Sequence, residues 1–205
     1  MSIKMILGTV AVFLALFSSS LYIRDIFRGN TKPHIYTWLI WSIVTSIAFL
    51  GQWVSGGGPG AWATGVTTLV TVFILLLSLK GGYGTKDITH FDKICLVLAI
   101  ASILPWVLTK SVLWSVIFAT LIDLIAFIPT MRKTWHAPHS ESLGSIYVDA
   151  LKHSLSIFSM GSYTFLNWMY PASVLTANFI IITEIELRRK FKKNISVLQN
   201  ENIEK

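Results

Sequence analysis

A single cysteine, Cys95, is all the thiol this chain of 205 residues carries, which excludes a disulfide framework or a cysteine-bound metal cluster. Charge is also scarce: Lys, Arg, Asp and Glu make up 13% of the residues, about half the share usual in soluble domains. Signatures of catalysis are missing as well. There is no nucleophile elbow, no phosphate-binding glycine loop and no His-Glu-x-x-His, and no two carboxylates share an obvious site. An embedded enzyme is not expected, nor is a cofactor or a metal. His136 and His139 with Glu141 are too loose a set of ligands, with no second motif beside them.

What the chain has in excess is apolar sequence, 53% of its residues with a mean hydropathy of +0.63, the composition of an integral, multi-pass membrane protein. The net charge of +7 would suit nucleic acid, yet the cations sit in short clusters between apolar runs. That pattern orients helices in a lipid bilayer and predicts no nucleic-acid partner. The first apolar run continues from Met5 past Ser18, Ser19 and Ser20 to Arg24 with no cleavage site, so it reads as a membrane helix and not a secretory signal. Cys95, at the start of another apolar run, reads as a buried structural thiol.

A hydrocarbon layer about 30 Å thick takes roughly 20 residues of helix. Spans are predicted at 5–23, 36–54, 61–79, 94–109, 111–131, 144–163 and 170–187. Between them, basic and uncharged connections alternate. Arg24, Arg28 and Lys32 follow the first span, Lys80, Lys86 and Lys93 the third, Arg132 and Lys133 the fifth, and a cluster from Arg188 to Lys193 the seventh. Ser55 to Gly60 and Asn167 to Pro171 carry no charge, and only Lys110 follows the fourth span. Because cytoplasmic loops collect Lys and Arg, the expectation is seven crossings, N-terminus outside and C-terminus cytoplasmic, in a bacterial inner membrane. Asn194 to Lys205 reads as a polar tail.

The chain also echoes itself. Laying Pro33-His34 over Pro138-His139 at an offset of 105 matches Phe13 with Phe118, Leu16 with Leu121, Ile23 with Ile128 and Leu50 with Leu155, and sets Arg28 against Lys133. Pro59 and Pro171 are each expected to open a span, where a missing N–H is harmless, aligning Thr64 with Thr176. Two three-helix repeats follow, 1–80 and 111–190, joined by a loop and fourth helix at 81–110 and trailed by a tail at 191–205. The fold class is all-α, seven transmembrane helices in a 3+1+3 parallel arrangement.

This layout, with Pro129-Thr130 near the end of the fifth span followed by a basic turn and Ser-x-x-x-x-Ser, resembles the PQ-loop superfamily that includes the SWEET and SemiSWEET transporters. Thr130 stands where that family has Gln, and Arg24-Asp25 occupies the matching place in the first repeat. Lys32-Pro-His-x-x-Thr-Trp38 is also similar to a turn in small bacterial membrane proteins of unassigned function. The resemblance implies a pocket near the midplane between the repeats, an asparagine from the third helix of a repeat lining it, here Asn178, and Pro129 as a hinge. At Asn178's repeat position stands Val66, which departs from the pattern.

Ionisable groups inside a membrane usually face a cavity or a partner. Asp149, Lys152 and His153 fall on one face of the sixth span at spacings of three and four. They read either as a self-neutralising cluster or as a proton or substrate site. Asp123, in the fifth span opposite Ser18 of the first repeat, needs a cation or a proton, and Lys152 is the expected partner. Trp41 lies deeper than the other tryptophans, which form an interfacial belt, and could stack on a flat solute. Thr64, Thr67 and Thr68 could line the first repeat or simply bond their own backbone. Two functions fit: a small-solute transporter working by alternating access, with or without proton coupling, or a non-transporting receptor using Arg132, Lys133, His136 and His139. A homodimer is compatible with either.

Overall fold

The computed structural model describes residues 2–30, 32–80, 83–84, 88–138 and 143–203, without the side chains of 128–130, 132, 133 and 192–203. The described residues form helices and no strand: α1 (Ile3–Phe27), α2 (Ile35–Val54), α3 (Pro59–Leu79), α4 (His90–Ala101), α5 (Leu104–Thr109), α6 (Val112–His136), α7 (Leu143–Phe158) and α8 (Phe165–Ile203). Five stretches are long and apolar enough to cross a membrane, with α4 and α5 counted as one, and Val112–Phe127 adds a shorter apolar one. Large apolar side chains such as Phe13, Leu69, Leu76 and Leu108 are exposed, as they must be where the solvent is lipid.

Local chemistry sets the helix ends. Ser2 caps α1, the His34 ring accepts from the Thr37 amide at the start of α2, and Thr89 with Asp92 forms a reciprocal capping box on α4. The fourth predicted span breaks at Ser102-Ile103, because Pro105 has no N–H for the carbonyl four residues earlier. Pro59 opens α3 as expected, but Pro171 does not open α8: that helix starts six residues earlier, at Phe165. The carbonyl that Pro171 leaves without a helical donor is that of Asn167, and Gln52 of α2 donates to it from Nε2 at 3.2 Å. A side chain from another helix thus repairs the proline defect.

Two further boundaries differ from expectation. α7 stops at Phe158, short of 163, since Ser159 to Gly161 turn onto the α2–α3 loop. α8 runs on to Ile203, so residues expected as a separate tail continue a helix. Its Arg188 stacks on Trp135, 4.3 Å from the ring centre, and donates to the Trp135 carbonyl, while Arg189 donates to the carbonyl of Pro138. These cations meet the C-terminal end of α6, where carbonyls lack helical donors. Backbone helix passes unbroken through residue 129.

α3 packs against both α1 and α2, and α8 against both α6 and α7. Across the bundle α1 packs on α7 and α2 on α6, while α4 lies against α2 and α6. The main core gathers Ile40, Val44 and Ile47 of α2, Val116, Ala119 and Ile122 of α6, and Met169 and Val174 of α8. Small residues let these helices approach: a Cβ on Gly51 would overlap the Val116 side chain. Cys95 is only partly buried at the edge of this core, not enclosed within it.

Candidate functional site

One end of the bundle, where the N-terminus meets the α2–α3 and α7–α8 loops, is closed by hydrogen bonds. The Gly161 amide donates to the Gly57 carbonyl at 2.8 Å. Asn167, fully buried, donates from Nδ2 to the carbonyls of Ser55 and Ser162 at 3.1 and 2.8 Å, and accepts from the Ser55 hydroxyl at Oδ1. Ser156 donates to the Gly60 carbonyl at 2.5 Å, and Lys4 Nζ to that of Met160 at 2.7 Å. Glycine is what permits this closeness. Gly56 and Gly58 have φ of 76° and 56°, and a Cβ at residue 60 would lie 2.7 Å from the Ser156 carbonyl oxygen.

Below this closed end lies a cavity of about 470 Å³, within the range of small-molecule sites. Its walls come from α1, α2, α3, α6, α7 and α8, with none from α4 or α5. Asp123, Asp149, Lys152, His153, Asn178 and Trp41, six residues singled out from the sequence on four different helices, all line it. Asp149 is the hub. Lys152 Nζ donates to its Oδ1 at 2.5 Å, Asn178 Nδ2 donates to its Oδ2 at 2.7 Å, and His153 Nε2 stands 3.5 Å from the same oxygen. The helical spacing of three and four is what delivers both cationic side chains to one carboxylate.

Asp123 is buried on α6, and the Tyr170 hydroxyl of α8 is directed at its carboxylate. The expected Asp123–Lys152 ion pair does not form. Lys152 takes the aspartate one turn away on its own helix, which its side chain reaches without crossing the cavity. The two carboxylates, expected to occupy separate sites, therefore share one. Counting formal charges, Asp123 and Asp149 bring two negatives and Lys152 one positive. One negative charge stays uncompensated unless a proton or a cation joins it, because an isolated buried charge is costly.

No family signature, curated protein or solved structure matches this chain. Assignment of the site rests on its geometry.

Several lining residues were not foreseen. Tyr22, Trp38, Thr45, Thr71 and Tyr170 face the cavity beside the predicted set. Thr45 and Thr71 are paired across α2 and α3 at 3.3 Å, just as Asp149 and Asn178 are across α7 and α8. Pro59 opens α3 while Pro171 lies six residues inside α8, so the two prolines stand at different positions in their helices. Thr64 and Thr67 reach the cavity and Thr68 does not, although the Thr67 and Thr68 hydroxyls both bond their own helix. His139 and Glu141 lie outside the described residues, as do the side chains of Pro129, Arg132 and Lys133.

Proposed function

We propose that this protein is a small-solute carrier of the membrane, working by alternating access with proton coupling, and built as two three-helix repeats, α1–α3 and α6–α8, around the cavity. The observation that carries this is convergence: six helices, three from each half, line one cavity that sets two carboxylates against one lysine, and hydrogen-bonded loops close one end. A static bundle has no need to hold such a charge there.

Support for the repeats comes from packing. The first helix of each half lies on the second helix of the other, and each third helix lies between its two partners. Pro33 and Pro138, equivalent at the offset of 105, are both fully buried, and the equivalent Ser18 and Asp123 both line the cavity. With α4–α5 as a linking crossing, the count is seven, and the basic loops fall on the cytoplasmic side. The closed end is then the outer one, and the conformation is closed to the outside. Rocking of the two halves would part Gly57 from Gly161 and Ser55 from Asn167. A proton on Asp123 or His153 would neutralise the cavity for the empty return.

The test is uptake into proteoliposomes from a panel of sugars, amino acids and organic cations. Asp149→Asn and Asn178→Ala should each abolish uptake while eluting and melting as folded proteins. Normal uptake by both variants would overturn this site. Absence of flux across the panel, together with a partner captured through the cytoplasmic loops, would replace the carrier with a receptor.

A further inference from the structure

The walls of the cavity differ in what they offer a solute. Tyr22 of α1 and Trp38 and Trp41 of α2 form a chain of rings, with Tyr22 and Trp38 centres 5.2 Å apart and Trp41 set edge-on to Trp38 at 5.2 Å. All three line the cavity, and all are only partly buried by protein. Facing them from α6 is Asp123, the carboxylate that has no ion pair among the described residues. The hydroxyls of Ser18, Ser19 and Thr67 each direct their proton to a backbone carbonyl, at 2.7–3.1 Å, and so can turn lone pairs to the cavity. Lys152 and Asn178, the strongest donors in the cavity, are both turned towards Asp149.

Taken together these walls offer ring faces and a carboxylate without an ion pair, and with His153 neutral their formal charges fall one positive short. An anion would be repelled. A neutral polyol would leave the carboxylate uncompensated. A cation gains from ring faces as well as from the carboxylate, since the face of an aromatic ring carries negative potential.

We propose that the solute is a monovalent organic cation, its apolar or aromatic head held against Trp38, Trp41 and Tyr22 and its charge balanced by Asp123. The proposal rests on the reading of this cavity as a solute site and narrows it to a chemical class. A cation there takes the place of the proton that otherwise neutralises the cavity, so the two exchange.

Choline is a probe of the right charge and size, and 3,3-dimethylbutan-1-ol is its uncharged isostere. Both are titrated into the full chain in nanodiscs at fixed ionic strength, following tryptophan emission and the heat of binding. Choline should bind about tenfold or more tighter than the isostere. Asp123→Asn should erase that preference and Asp123→Glu should restore most of it, which separates charge from folding. Trp41→Leu should weaken choline about three- to thirtyfold. Equal affinities, a preference that survives Asp123→Asn, or no binding of choline would each overturn the cation assignment. Asp149-dependent uptake of a neutral solute by proteoliposomes would overturn it too, while leaving the carrier standing. If choline does not bind and no solute moves, both fail together.

Discussion

Replacing Asn167 by Ala should open the closed end of the bundle without melting the rest. The side chain makes four hydrogen bonds there, but they are not equally replaceable. The Ser55 hydroxyl also reaches the Gly51 carbonyl at 2.6 Å, and the Ser162 hydroxyl also reaches the Ser55 carbonyl at 2.9 Å, so these two groups keep a partner. The Ser162 carbonyl loses its side-chain donor and the Ser55 carbonyl loses one of two. Two buried bonds at about 1–1.5 kcal/mol each give a local cost of about 2–3 kcal/mol. That is a shift of about 30- to 150-fold in the equilibrium between closed and open ends. Amide exchange reads it directly. The Gly161 amide bonds across the closure to the Gly57 carbonyl at 2.8 Å and should exchange faster by that factor, whereas the Gly57 amide bonds the Gln52 carbonyl at the end of its own helix. Amides in the middle of α6 and α8 should hold their rates. Unchanged exchange at Gly161 would refute the lock, and a uniform rise across all helices would make Asn167 a residue of global stability instead.

Gly60→Ala should lower the melting temperature and cost about 1–3 kcal/mol, because the new methyl meets the Ser156 carbonyl and Met160 with no room to shift; a neutral effect in a melt would mean that α3 and α7 can slide apart freely. Gln52→Leu should destabilise by about 1–2 kcal/mol by leaving the Asn167 carbonyl without a donor. In a Pro171→Ala background the restored N–H takes over, so a double-mutant cycle should show coupling of about 1 kcal/mol; strict additivity would disprove the repair of the proline defect. Asp149→Asn should abolish solute uptake while preserving the fold, because the hub that orients Lys152 and Asn178 loses its charge.

Hydropathy and charge placed every apolar helix in the sequence to within a few residues at one end or the other. A helix end was legible where a proline at the first turn fixed it, as at Pro59. Ends were not legible where a distant residue decided: nothing near Pro171 announces that Gln52, 115 positions away from Asn167, will satisfy the freed carbonyl. The echo at an offset of 105 joins two kinds of position: Phe13 and Phe118, and Leu16 and Leu121, are all at least 44% exposed, whereas Pro33 and Pro138 are fully buried. The site fared similarly. Charged groups in apolar helices stand out, and Asp149, Lys152 and His153 needed only helical spacing to be joined. That Asp123 faces Tyr170 instead of Lys152 depends on how α6 meets α8, which periodicity does not encode. Nor does it encode the ring contact of Tyr22 with Trp38, which belong to different helices.

Two-sided access to the cavity is the claim on which the rest depends. Thr64 lines the cavity just beneath the closed end and is buried there. In a Cys95→Ser background, Thr64→Cys in sealed, oriented vesicles can be treated with a membrane-impermeant thiosulfonate applied to one face at a time. Alternating access predicts reaction from both faces, with the outer-face rate the slower and rising when Asn167→Ala is added while the inner-face rate falls. Reaction from one face alone, unmoved by Asn167→Ala, would contradict it and leave a bundle with a single-mouthed pocket.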